Sequence, residues 1–172
     1  MAPLLRHLLP ILMPIMNVAV IPYWLIAAFG AGDSRWEGYP ITAVPVRLGG
    51  AAALSAGGFL FLWCVRLFAR VGEGTLAPWD PTRKLVAVGP YRHVRNPMIS
   101  GVALMLLGEA LVRGSWVLGT WTGTFLLINH GYFVASEEPG LEKRYGAAYR
   151  VYKENVPRWI PRPRRWSAAP KR

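Results

Sequence analysis

Long apolar runs alternate with short polar segments along this chain of 172 residues. The first run covers residues 8–29 and the second covers residues 44–68. At about 1.5 Å per helical residue, each is long enough to cross roughly 30 Å of hydrocarbon. A shorter run over residues 98–112 is followed closely by another over residues 116–133. The pattern predicts an all-α, multi-span transmembrane helical bundle of about four spans, with a fifth left open.

The connections predict how the spans are arranged. Arg113, Gly114 and Ser115 form a tight turn between the third and fourth runs, which should therefore pair as an antiparallel hairpin. The second run is rich in glycine and alanine, which let another helix approach closely in a membrane. The alternative interpretation of the first run is a cleaved signal peptide. Its scattered prolines and the lack of a well-placed small-residue cleavage site favour a retained span.

The segments between and after the runs complete a single membrane domain over residues 1–172. Helical spans occupy residues 1–70. Residues 71–97 are punctuated by Gly and Pro and form a long loop, of the kind that is often functional. Residues 98–161 hold the hairpin and a C-terminal amphipathic helix, and residues 162–172 are a basic tail that we expect to be mobile.

Charge and composition narrow the class of protein. A net charge of +11 raises the possibility of nucleic-acid binding, but Lys and Arg are confined to loops and tail and line no single face. Seventeen of them fall on one side of the four-span arrangement and three on the other. The bias predicts a multi-pass integral membrane protein with both termini cytoplasmic, in a bacterial inner membrane, with lipid and not nucleic acid as partner. One cysteine and three scattered histidines predict no disulfide and no metal site.

The hairpin should bring two polar groups together, although about forty residues separate them. Arg95-Asn96-Pro97 begins the third span and Glu137-Glu138 follows the fourth. Asn96 can cap the third helix and Pro97 suits its first turn, so nearby backbone amides can receive a ligand carboxylate. Glu137 can accept hydrogen bonds from ribose hydroxyls or an ammonium group. The alternative is an interfacial ion pair between Arg95 and Glu137 that only holds the hairpin ends together.

Other candidate residues carry weaker signals. His130 lies about two turns before Glu137 and is a possible base, although a histidine inside a bundle is more often structural. His93 in the loop is a lesser candidate for a direct role. Tyr145, Tyr149 and Tyr152 recur at helical spacing, which favours packing or an interfacial belt over a cofactor contact.

Two separated groups of residues resemble a known enzyme family. The first is Gly89-Pro90-Tyr91 followed by Val94-Arg95-Asn96-Pro97-Met98. The second runs through Glu137-Glu138, Leu141, Tyr145-Gly146, Tyr149, Tyr152 and Val156-Pro157-Arg158. Together they resemble the C-terminal half of the isoprenylcysteine carboxyl methyltransferase family and its phospholipid N-methyltransferase relatives. The resemblance covers about residues 82–161, nearly half of the chain.

This resemblance implies an integral membrane enzyme that uses S-adenosylmethionine. It assigns the cofactor pocket to Leu85, Val86, Tyr91, Asn96, Pro97, Met98, Ile99 and Glu137, to which the hairpin topology adds Arg95. The eukaryotic isoprenylcysteine enzymes carry His where this chain has Asn96 and Tyr where it has Ile99. The Arg that they place before the glutamate pair, for the substrate carboxylate, falls here near Phe133. These departures weigh against a prenylcysteine substrate.

The function expected is methyl transfer from S-adenosylmethionine to a lipophilic or membrane-associated acceptor, a carboxylate or an amine, at the cytoplasmic face. Only an amine must lose a proton, and His130 or Glu137 would then matter as a base. One alternative is an NADPH-dependent membrane reductase of the sterol-reductase type, with Arg83, Lys84 and Arg92 beside Arg95 for a 2′-phosphate. Another is a non-catalytic membrane protein whose basic tail binds anionic lipid. The acceptor and the oligomeric state stay open.

Overall fold

Helices account for most of the residues that the computed structural model describes, which are 12–30, 33–36, 40–71 and 85–167. They are α1 (Leu12–Phe29), α2 (Pro40–Val71), a 3₁₀ turn (Gly89–Arg92), α3 (Pro97–Arg113), α4 (Trp116–Tyr132), α5 (Glu138–Tyr145) and α6 (Ala147–Asn155). Within those ranges the only β-type pairing is one isolated bridge, between Ser34 and Ser115. The all-α expectation is confirmed for this part of the chain, and the division into a single membrane domain stays a prediction.

Two helices are long and apolar enough to cross a bilayer. They are α1 over Leu12–Phe29 and α2 over Ala43–Phe68. Large apolar side chains on their outer faces are exposed, including Tyr23 and Phe59, as expected of lipid-facing helices. Helices α3 and α4 have 17 residues each and form the expected hairpin, but their crossing of the bilayer stays a prediction. The start of the predicted first span, residues 8–11, lies outside the described residues.

Glycines on facing helices bring α2 and α3 into backbone contact. A Cβ on Gly57 would lie 2.5 Å from the carbonyl oxygen of Gly101, and a Cβ on Gly108 would lie 2.6 Å from that of Gly50. Both distances are far inside van der Waals contact, so only glycine fits at these two crossings. The sequence predicted that another helix packs closely against the second run, which is α2. This prediction is confirmed, and the helix that packs there is α3 of the same chain.

Two π-helical segments each end just before a proline. Met16–Val20 lies inside α1 and precedes Pro22, while Phe133–Glu137 joins α4 to α5 and precedes Pro139. Proline has no backbone N–H and its ring collides with the carbonyl four residues earlier. A wider π turn accommodates both effects. Helix α4 therefore continues into α5 without a break, where the sequence predicted a separate helix.

The described part of the polar connector docks on the turn between α3 and α4. The Asp33 carboxylate accepts from the backbone amides of Trp116, at 3.0 Å, and Val117, at 3.2 Å, and from the Ser115 hydroxyl. Ser115 Oγ in turn accepts from the Leu118 amide at 3.1 Å. These bonds satisfy amides at the start of α4 that have no partner inside the helix.

The C-terminal tail pairs with the segment around the end of the 3₁₀ turn. The Arg162 amide donates to the His93 carbonyl at 2.9 Å, and His93 Nδ1 donates to the Arg162 carbonyl at 2.8 Å. The Trp166 amide donates to the Arg92 carbonyl at 3.0 Å, and Arg92 Nε donates to the Trp166 carbonyl at 2.5 Å. The expected mobility of the tail is therefore wrong for residues 162–167, while residues 168–172 lie outside the described part.

Candidate cofactor site

A cavity of about 450 Å³ lies between the start of α3 and the continuous helix α4–α5. Helix α6, the backbone before the 3₁₀ turn and the end of α2 close its other sides. Its lining residues are Phe68, Leu85, Val86, Tyr91, Arg95, Asn96, Met98, Ile99, Asn129, Tyr132, Phe133, Ser136, Glu137, Gly140, Leu141, Arg144, Tyr145, Tyr149 and Tyr152.

The structure brings the sequence-predicted cofactor residues together at this cavity. All of them line it except Pro97, which is buried as the first residue of α3. Asn96 occupies the N-cap position as expected, but its side chain makes no capping hydrogen bond. Its amide group is therefore available to a ligand. The assignment of these residues to a cofactor stays a prediction.

Neighbouring glutamates at the end of the π segment have opposite environments. Glu138 is 5% exposed, and its Oε1 accepts from Arg95 at 2.8 Å and from Arg158 at 2.7 Å, while Lys153 Nζ lies 3.2 Å from Oε2. Burial favours the protonated acid, but these three cations outweigh it and hold the pKa of Glu138 below its usual value. The alternative ion pair of Arg95 with Glu137 is therefore wrong, because Glu138 accepts from that guanidinium.

Glu137 faces the cavity with its charge uncompensated by any described cation within salt-bridge distance. Burial, followed by the negative charge of Glu138, raises its pKa from 4.5 to about 7. A carboxylate in such a position is stabilised by a cation or hydrogen-bond donor that a ligand brings.

Arg95 also retains a group without a protein partner. Its NH1 binds Glu138, while its Nε is buried and lacks an acceptor in the described part of the chain. A buried donor left unpaired costs about 1–3 kcal/mol, which an incoming acceptor can recover. The cavity therefore offers an unpaired acid at Glu137 and an unpaired donor at Arg95.

Hydrogen bonds from the C-terminal region hold the loop wall of the cavity in place. The Tyr152 hydroxyl donates to the Tyr91 carbonyl at 2.7 Å, and the Arg95 amide donates to the Pro157 carbonyl at 2.9 Å. Tyr91 is buried against Cys64 of α2, and burial raises the pKa of its phenol well above the usual range. Helix α6 and the segment after it thus fix the position of Tyr91 and Arg95.

Several cavity residues were missed by the sequence analysis. Their signal was a four-residue spacing that runs through α4, the π segment and α5. One row joins Phe133, Leu141 and Tyr145 to the predicted Glu137, and the adjacent row is Tyr132, Ser136, Gly140 and Arg144. The packing interpretation is confirmed for Tyr149 and Tyr152, which are buried together with Val156, although both also line the cavity.

The histidine candidates lie elsewhere. His130 is exposed on α4, does not line the cavity, and its Nδ1 accepts from Trp159 Nε1 at 3.1 Å. His93 uses its Nδ1 to hold the tail. Neither geometry supports a direct role, so Glu137 is the stronger of the two weak catalytic candidates.

Comparison with known proteins identifies the class of enzyme. A sequence model of the family described as phospholipid methyltransferase matches residues 46–148, more than half of the chain. The chain belongs to the phospholipid methyltransferase family. The match confirms the resemblance, and it agrees with a membrane methyltransferase whose substrates are lipid-like. It includes α3, α4 and α5, and therefore most of the cavity wall.

A shorter relative matches part of the chain. It is an uncharacterized protein of Haemophilus influenzae, 35% identical over 65 residues, which are 37% of this chain and all of the relative. No solved structure matches. Phospholipid methyltransferases generally use S-adenosylmethionine, which makes this the cofactor to test against the cavity.

Proposed function

We propose that this protein transfers a methyl group from S-adenosylmethionine to a membrane lipid or a similarly lipophilic acceptor, at the cytoplasmic face. The observation that carries the proposal is the unpaired carboxylate of Glu137 in the cavity lined by the predicted cofactor residues. S-adenosylmethionine carries both a sulfonium and an ammonium cation, and either would offset this charge. When bound, it would supply an electrophilic methyl group.

The donors on the opposite wall suit the carboxylate of the cofactor. Arg95 Nε is buried without an acceptor, and the first amides of α3 have no helical partner. Charge-assisted bonds from such donors are roughly twice as strong as neutral ones. Tyr149 and Leu85, which belong to the same apolar cluster and both line the cavity, present an apolar surface suited to the adenine ring. These residues would hold and orient the cofactor and exclude water around it.

The acceptor would approach between α3 and α4 from the lipid. This side of the cavity is lined by Ile99, Asn129, Tyr132 and Phe133, and Tyr132 is 46% exposed on the outer surface. None of these four residues is a cation, which a carboxylate acceptor would need beside it, and Arg144 lies at the far end of the Tyr132 row, on α5. An amine is therefore the favoured acceptor. Glu137 lines the same cavity, and in the unliganded protein its pKa is about 7, so it is the carboxylate placed to take up the proton that an ammonium acceptor must lose.

The test is calorimetric titration of the detergent-purified protein with S-adenosylhomocysteine and, separately, with NADPH. We expect S-adenosylhomocysteine to bind and NADPH not to bind. Glu137→Gln should weaken binding roughly tenfold to hundredfold, because a charge-assisted hydrogen bond contributes about 1.5–3 kcal/mol. Glu142→Gln is the matched control: this glutamate lies on α5 beside Arg150, at 3.6 Å, and does not line the cavity.

Each other outcome assigns a different function. Binding of NADPH alone would favour the reductase alternative, and no binding by a folded sample would favour a non-catalytic membrane protein. If Glu137→Gln leaves binding intact but lowers kcat for an amine acceptor, the residue acts as a base and not in cofactor binding.

A further inference from the structure

A second cavity, of about 490 Å³, lies on the other side of the 3₁₀ turn from the candidate cofactor site. The two cavities share no described lining residue. Leu60 and Trp63 of α2 form its apolar wall, and Arg92 of the turn and Arg165 of the tail form its basic wall. We call this second cavity the basic groove.

The basic groove is suited to an anion. Among the residues that the structure describes, no acidic side chain lines it and no carboxylate lies within salt-bridge distance of Arg92 or Arg165. Within the described part of the chain, the Arg92 side chain makes a single hydrogen bond, from its Nε to the Trp166 carbonyl. Guanidinium groups bind phosphate through paired N–H donors, and two such groups on one wall can share a single phosphate.

The apolar wall lies at the depth of lipid chains. Trp63 precedes Phe68, where the apolar span ends, by five residues, a rise of about 7.5 Å along a helix. Trp63 is 43% exposed, which is typical of tryptophan near a membrane surface. Arg92 and Arg165 belong to the polar segments beyond the span. A molecule that contacts both walls must therefore combine an apolar chain with an anionic head.

We propose that the basic groove binds an anionic phospholipid, with its phosphate on Arg92 and Arg165 and an acyl chain against Leu60 and Trp63. Such a lipid would connect the tail, the 3₁₀ turn and α2. Tyr91 of the same turn lines the cofactor cavity, so an occupied groove would also support that wall. This site is separate from the methyl acceptor, and its existence does not depend on the proposed function.

Native mass spectrometry of the detergent-purified full chain tests the proposal, with phosphatidylglycerol, phosphatidylcholine of the same chains and glycerol 3-phosphate as probes. We expect phosphatidylglycerol to bind at least tenfold more tightly than the other two. Arg165→Gln should weaken this binding roughly fivefold, since one basic residue near an anionic lipid has about that effect. Arg165→Lys, which keeps the charge, should change it less than twofold.

Arg164→Gln is the matched control, because Arg164 is an exposed neighbour that does not line the groove. Arg165 is exposed and makes no salt bridge with a described residue, so its variants should unfold at the wild-type temperature without lipid. Equal losses in Arg164→Gln and Arg165→Gln would mean diffuse surface attraction and would overturn the proposal. Equal affinities for the two lipids, or for glycerol 3-phosphate and phosphatidylglycerol, would also overturn it.

Discussion

Glu137 and Glu138 are adjacent in sequence and carry the same functional group, yet their carboxylates have different neighbours. Glu138 turns toward Arg95, Lys153 and Arg158, while Glu137 turns into the cavity. Protein cations thus keep Glu138 ionised, while Glu137 has no described cation beside it. This difference gives each residue its own prediction.

The affinity for S-adenosylhomocysteine should depend on pH through Glu137. Its pKa is about 7, so the carboxyl group becomes protonated below that pH and loses its attraction for the ligand ammonium. We expect affinity to fall by up to tenfold per pH unit below about 7 and to level off above it. Calorimetry between pH 6 and pH 8 measures this, and in Glu137→Gln the slope should vanish.

The unliganded protein should show the opposite trend. Because folding raises the pKa of Glu137 from 4.5, its contribution to stability is fully present below about pH 4.5 and is lost as pH rises through about 7. A Glu137→Gln variant should therefore gain stability relative to wild type as pH rises from 5 to 8. A constant difference over that range would contradict the raised pKa.

Glu138 should be required for the fold and not for a specific ligand. Removing a buried partner of an ion pair leaves uncompensated charge, so Glu138→Ala should lower the free energy of unfolding by about 3–5 kcal/mol. Titration with a denaturing detergent, followed by circular dichroism, measures the change. Glu142→Ala, whose partner Arg150 is exposed, should cost less than about 1 kcal/mol. Similar losses in the two variants would contradict the central role of Glu138.

At the scale of elements, proline and glycine decide where helices bend and where they touch. The π segment in α1 leaves the carbonyl of Asn17 without a helical donor, because the residue five positions later is Pro22. Trp121 of α4 donates to this carbonyl at 3.2 Å and so ties α1 to the hairpin. The matching π segment before Pro139 carries one wall of the cavity through to α5.

The crossing of α2 and α3 should tolerate no side chain. Gly57→Ala places a methyl group 2.5 Å from the Gly101 carbonyl oxygen and should lower stability by about 1–3 kcal/mol. Gly49→Ala is a matched control, since nothing lies within 4 Å of its Cβ, and it should be neutral or stabilising. Thermal unfolding in detergent measures both. Equal behaviour of the two variants would show that the helices are not in backbone contact.

At the scale of the whole molecule, the cavity and the turn between α3 and α4 lie at opposite ends of the hairpin. The four-span prediction puts the cavity end on the cytoplasmic side. Cysteines introduced as Arg113→Cys and Ser167→Cys, both at exposed positions, test it with a membrane-impermeant maleimide. Position 113 should react from outside intact cells and position 167 only after lysis. Cys64 is fully buried and serves as the internal background.

Labelling of both introduced cysteines from the same side would contradict the crossing of α3 and α4. It would leave α1 and α2 as the only two supported spans in the described part of the chain. Reversed labelling would keep the four spans but place the cavity on the outer side, against the distribution of Lys and Arg.

Hydrophobic patterning alone was enough to predict an all-α bundle, the α3–α4 hairpin and the juxtaposition of Asn96 with Glu137. The helices could be predicted because burial in lipid or against another helix fixes the spacing of the apolar positions. The hairpin could be predicted because a three-residue turn makes the two helices that it joins antiparallel neighbours. The motif residues then predicted most of the loop and α3 side of the cavity. Its α4–α5 wall required the continuous helix, since the sequence predicted a separate helix after the fourth run.

Only the tertiary structure decided which glutamate pairs with Arg95. Glu137 and Glu138 are consecutive, so sequence spacing cannot distinguish them. The helical rotation between them points Glu138 toward three cations and Glu137 into the cavity. The docked tail was likewise invisible in the sequence, because on the tail's side its pairing with His93 and Arg92 uses only backbone groups, which every residue carries. Apolar composition by itself predicted the membrane spans, and three-dimensional packing decided which polar groups line the cavity without a described protein partner.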